Sequence, residues 1–100
     1  MTNISNLPFV KNHGKGENKK LTFWNTKPNG NYGDECIIGK AYAQQTISYM
    51  EAEDLTPLLG WIVLAIQEKP NHSGIEVGFM SVIAQYAVFG AQKARGDSHA

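Results

Sequence analysis

From residue 31 onward, apolar and polar positions alternate with a helical period in three successive blocks. The first predicts a helix starting between Asn31 and Asp34 and ending near Glu53. Cys36, Ile38, Tyr42, Ala43, Ile47, Tyr49 and Met50 are its apolar positions, and Lys40, Gln44, Ser48 and Glu51 form a wet stripe. Asp34 and Glu35 put negative charge in the first turn, where the macrodipole favours it. The second block opens with Thr56 as expected N-cap and Pro57 at the first helical position, and it ends at Lys69-Pro70. Leu58, Leu59 and the run from Trp61 to Ile66 are apolar in every direction about its axis. Such a helix must be covered on all sides, and two neighbours cannot do that. A second subunit is therefore expected.

The third block begins with Ser73-Gly74-Ile75-Glu76, the capping-box pattern in which the serine oxygen and the glutamate satisfy each other's free N–H groups. Two apolar rows follow, Ile75-Phe79-Ile83-Tyr86 and Val77-Met80-Ala84-Ala87, widened by Val82 and Phe89. The polar stripe is narrow (Ser81, Gln85, Gln92), and Lys93, Arg95 and Gly96 mark the end.

Upstream, Leu21–Thr26 has strand composition and stops at Lys27-Pro28-Asn29-Gly30. A lone strand needs a partner: the same segment of another copy, or residues near Phe9. Otherwise it is an extended clamp that presses Phe23 and Trp24 onto the helices. Residues 1–20 are rich in Asn, Gly and Lys, and they read as a flexible basic arm. The expected organisation is thus an arm (1–20), one helical domain (21–96) and a tail (97–100). The fold class is all-α, three helices with an extended N-terminal segment, self-associating through the second and third helices. The alternative is a small α+β dimer in which Leu21–Thr26 pairs between subunits.

Composition narrows the partners. Nine basic and nine acidic residues cancel, so no global field draws the chain to nucleic acid or an anionic membrane. The charges are segregated, however. Residues 1–27 carry +4, from five lysines against Glu17, and residues 28–76 carry −5, from seven acids against Lys40 and Lys69. One cysteine, Cys36, rules out an intrachain disulfide and fits a reducing, cytoplasmic setting. The N-terminus has no basic start followed by an apolar run, so no signal peptide is expected. The run from Pro57 to Ile66 is about half the length of a membrane-spanning helix.

Candidate chemistry is sparse. Cys36 stands in a first helical turn, where a thiol is activated, but a free cysteine is ordinarily a small buried hydrophobe. His72 is the only histidine in the folded region that could serve as its base. His13, Cys36, His72 and His99 lack metal-ligand spacing, so neither a metal nor another cofactor is expected. Glu51, Glu53 and Asp54 read as a solvated helix end that suits a basic partner. The loop from Asn25 to Gly33 places glycines, Lys27 and Tyr32 before a helix N-terminus, an arrangement able to hold an anion, although turn chemistry explains it equally. Lysines followed by Phe23 and Trp24 suit single-stranded nucleic acid, but the acidic body opposes it, and nucleic acid is not an expected partner.

With no catalytic residue assembled, the expected function is a small non-enzymatic interaction protein that binds another protein and itself. Accessory and inhibitory factors of phages and mobile elements are often of this size. Glu51, Glu53 and Asp54 are the expected partner contacts, and Trp61, Leu64, Val77, Met80 and Ala84 the expected oligomer interface. The alternative function is a homo-oligomer that holds a small anionic ligand in an aromatic pocket between subunits, lined by Trp24, Lys27, Tyr32 and Tyr42.

Overall fold

The computed structural model describes residues 4–13 and 20–96. It is mostly helical, with a small two-stranded sheet. A 3-10 turn (Ile4–Asn6) leads into strands β1 (Lys11–His13) and β2 (Lys20–Thr22), followed by helices α1 (Tyr32–Glu53), α2 (Leu58–Gln67) and α3 (Gly74–Ala94). The expected tail 97–100, and residues 1–3 and 14–19 of the expected arm, lie outside the described residues.

The first and third helices run parallel and touch backbone to backbone. Gly74 lies against Tyr32 and Glu35, Gly78 against Cys36, and further along Tyr86 Oη donates to Gln44 Oε1 at 3.0 Å. Residue numbers rise together along both helices, which fixes the parallel sense. Three glycines, Gly39, Gly74 and Gly78, permit the approach. A methyl on Gly39 would overlap the Ile75 carbonyl oxygen and stand 2.8 Å from Phe79 N, and one on Gly78 would overlap the Cys36 carbonyl. At such a distance only hydrogen fits.

Aromatic rings fill the space beside this contact. Trp24 and Phe79 meet edge to face at 4.8 Å, Phe9 lies 5.3 Å from Trp24, and Tyr42 lies 5.0 Å from Phe9. Tilted and T-shaped pairs of this kind suit the ring quadrupoles. Leu7, Phe9 and Val10 are buried in the same cluster as Leu58, Ile62, Ile75 and Val82. Residues 4–10, read from composition as part of a basic arm, therefore supply core: three apolar residues bury more than the neighbouring polar ones lose.

The expected strand Leu21–Thr26 is shorter, and its partner lies in the same chain. β2 pairs antiparallel with β1, Lys11 opposite Thr22, and Asn25 N donates to Phe9 O at 2.7 Å. After Thr22 the chain leaves the ladder because its two aromatics go to different places. Phe23 packs on Trp61 with rings 5.6 Å apart, and Trp24 enters the core.

Helix boundaries follow local chemistry. Asn31 Oδ1 accepts from Asp34 N at 3.0 Å to cap α1, and Asp54, in the left-handed conformation, closes it with its N–H on Met50 O. α2 begins at Leu58, one residue later than expected, with Pro57 helical and no side-chain cap. The capping box of α3 is complete.

Candidate functional site

Two buried carboxylates meet the head of α3. Glu35 sits one turn into α1. Its Oε1 accepts from Gly74 N at 3.0 Å, and its Oε2 accepts from Asn29 N at 3.0 Å and Gly30 N at 2.9 Å. Glu76 Oε1 accepts from the Ser73 backbone N–H and hydroxyl, and Oε2 from Trp24 Nε1 at 2.7 Å. Burial pushes the Glu76 pKa up, but the backbone N–H of Ser73, the Trp24 indole and the Ser73 hydroxyl together outweigh it and hold the pKa below its ordinary value. Glu76 is therefore a structural anion at the N-terminus of α3, and Glu35 is a buried acceptor beside it. Among the described residues no buried side-chain nitrogen or oxygen lacks a partner. The free N–H groups of the loop before α1, a plausible anion cradle in the sequence, already hold the chain's own Glu35.

The ligand-pocket set divides. Trp24 is buried and Tyr42 half-buried in the aromatic core, whereas Lys27 and Tyr32 are exposed. Tyr32 interacts with the Cys36 thiol one turn on, and the hydrogen bond, followed by the Coulombic contact, raises the phenol pKa. His72 Nε2 lies 3.2 Å from Ile66 O. Among the described residues no three His, Cys, Asp or Glu side chains group as a metal would require, and His99 lies outside them. Glu51 and Asp54 are exposed and Glu53 half-buried at the end of α1, against the negative end of its dipole.

Apolar surface is the more informative feature. The residues expected to form one interface fall on two flanks of α2. On the first, Trp61 (42% exposed) and Leu64 (61%) join Leu21, Phe23 and Ala65 around a groove of about 330 Å³, with Thr22 and Glu68 completing the lining. On the second, Val63 and Ile66 face Val77 and Met80 across a groove of about 320 Å³ closed by Gln67, His72 and Glu76. At about 100° per residue, Trp61 and Val63 point to opposite sides of the helix. A larger hollow of about 460 Å³ between the N-terminal turn and α1 is lined by neutral polar side chains with Leu7, Pro8, Tyr49 and Ala52.

The third helix leaves the core after Ile83. Every residue from Ala84 to Ala94 is exposed, including Tyr86, Val88 and Phe89. By length and composition Gly74–Ala94 is also apolar enough to cross a membrane, although a third of its most apolar stretch is buried inside the fold. The pairing of Phe23 with Trp61, which builds the first groove, was not foreseen. Its only trace in the sequence is the adjacency of Phe23 and Trp24, whose side chains must diverge.

Compared with protein-family models, curated proteins and solved structures, the chain matches none.

Proposed function

We propose that this chain is a small non-enzymatic interaction protein that binds another protein through the groove between β2 and α2. The half-exposed Trp61, braced by Phe23 and flanked by Leu64 and Leu21, carries this reading. A large aromatic held in place by a second ring presents apolar area at little entropic cost, and Trp is enriched among residues that dominate interfaces. Thr22 and Glu68 add a polar and a charged group to the apolar lining, a mixture common in binding patches. The solvated acids Glu51, Glu53 and Asp54 act at longer range and steer a basic partner rather than anchor it. Self-association through α2 and α3 belongs to the same reading. The lone cysteine suits work in the reducing cytoplasm.

A photo-crosslinking residue placed at Leu64 in the source cell tests the groove. It should give discrete protein adducts that disappear with Trp61→Ala, while the same probe at the exposed Lys40 gives none. Equal adducts from both positions, or adducts at Leu64 that survive Trp61→Ala, would remove the groove from the function.

A further inference from the structure

We propose that Asn29 is a self-modifying site: its side-chain carbonyl carbon cyclises onto the backbone nitrogen of Gly30, with Glu35 as the base, and the ring hydrolyses to aspartate and isoaspartate. None of these residues lines the Trp61 groove, so either proposal can fail without the other.

Asn29-Gly30 is the single Asn-Gly pair of the chain, and both residues are exposed in the loop before α1. A glycine leaves its own nitrogen unshielded, and the φ of +86° at Gly30 is one that glycine adopts freely. Nothing lies within 4 Å of the place where a Cβ would stand. Three contacts then supply what ring closure needs. The nucleophile is Gly30 N, whose N–H donates to Glu35 Oε2 at 2.9 Å, so a carboxylate already sits where the proton must go. The electrophile is Asn29 Cγ. Its oxygen Oδ1 accepts from Asn31 N at 2.8 Å, which folds the side chain back along the intervening Gly30 peptide. The same N–H steadies the negative charge that builds on Oδ1 as nitrogen adds. Asn29 N also donates to Glu35 Oε2, at 3.0 Å, so both reacting residues are fixed on one oxygen. Glu35 cannot swing away, because it is buried and its Oε1 accepts from Gly74 N at 3.0 Å.

The reaction needs only the chain and water. Gly30 N bonds to Asn29 Cγ while its proton passes to Glu35 Oε2. The Cγ–Nδ2 bond then breaks, and the nitrogen leaves as ammonia with the proton that Glu35 carried. The succinimide that remains takes up water at either carbonyl and opens to aspartate or isoaspartate. No atom changes oxidation state. The product then acts on the clamp that made it. In the imide Gly30 has no N–H for Glu35, and isoaspartate adds a methylene to the main chain between residues 29 and 30. Either acid also sets a second negative charge near Glu35, which holds Gly74 N at the head of α3. Conversion therefore loosens the joint between this loop, α1 and α3 as the protein ages.

The full chain is incubated in native buffer and in urea, and peptide mass spectrometry follows aspartate and isoaspartate at position 29. Conversion should be about tenfold faster in the native chain, well within what a positioned base supplies. A loop that merely held the pair rigid would react more slowly than the unfolded chain. Glu35→Gln keeps an acceptor oxygen but no base, and should react more slowly than native wild type. Should that variant unfold, it falls to the unfolded rate, which is also slower. Heavy water should slow the native reaction, because a proton moves to Glu35 as the ring closes. Converted chain, separated by ion exchange, should melt below the unconverted chain, and equal melting temperatures would overturn the loosened joint. Native conversion no faster than unfolded, an unchanged rate in folded Glu35→Gln, or no slowing in heavy water would overturn the site itself.

Discussion

Gly39→Ala isolates the contact on which the fold turns. In an ordinary helix interior this change stabilises by about 1 kcal/mol, since alanine loses less backbone entropy. Here the new methyl overlaps the Ile75 carbonyl oxygen and lies 2.8 Å from Phe79 N and Ile75 C. Optimal contact needs about 3.5 Å, so α1 and α3 must part by at least ~0.7 Å, and by more at the carbonyl. No rotamer change relieves it, because both obstructing groups are main chain. Separation also loosens Phe79 from Trp24, whose rings meet at 4.8 Å. Overpacking of a tight core costs about 1–3 kcal/mol, and a backbone obstruction falls at the upper end. The net loss is then about 2 kcal/mol, a large share of the ~5–15 kcal/mol of a domain this size. At about 4–8 °C per kcal/mol the melting temperature should fall by roughly 8–16 °C. Gly60→Ala is the control: nothing lies within 4 Å of its added methyl. That variant should gain about 0.5–1 kcal/mol. Thermal melts followed by circular dichroism at equal concentration measure both. A Gly39→Ala protein that melts at or above wild type would refute the close approach.

Two further outcomes concern the buried acids. Glu76 has a folded pKa below its ordinary 4.5, so its contribution is complete above that value and is lost as pH falls through the folded pKa. Trp24→Phe should raise the pH midpoint of acid unfolding, and Glu76→Gln should flatten the acid limb; unchanged acid titrations followed by fluorescence or circular dichroism would contradict the pairing. Glu35→Ala strips three N–H groups of their acceptor and should cost on the order of 3 kcal/mol in urea unfolding, whereas Asp34→Ala, whose side chain is exposed, should cost well under half of that.

The three helices were legible because their signals are local. Asn31 and Ser73 cap their own helices, and the apolar period of each block needs no distant partner to be read. The hairpin was half legible. Composition marked Leu21 and Thr22, but Lys11–His13, the strand they pair with, is polar and carries no strand signal of its own. Phe9 was hidden for a related reason, a short apolar patch in polar surroundings whose cover comes from Tyr42, Trp24 and Phe79. Glu35 was legible only as a first-turn acid, not in its contacts. Its partners Asn29, Gly30 and Gly74 are assembled only by the parallel docking of α1 on α3, and that docking rests on glycines that carry no hydrophobic signal. The apolar excess of α2 was visible, but its division into two flanks required knowing that β2 and α3 lie on opposite sides of it.

Native mass spectrometry of gently purified full-length chain tests most directly whether this protein works by association. The expected spectrum is an even multiple of the 11.0 kDa chain with no further mass attached. A bare monomer, or a retained mass of small-molecule size, would contradict it, the second by pointing to a ligand-binding protein instead.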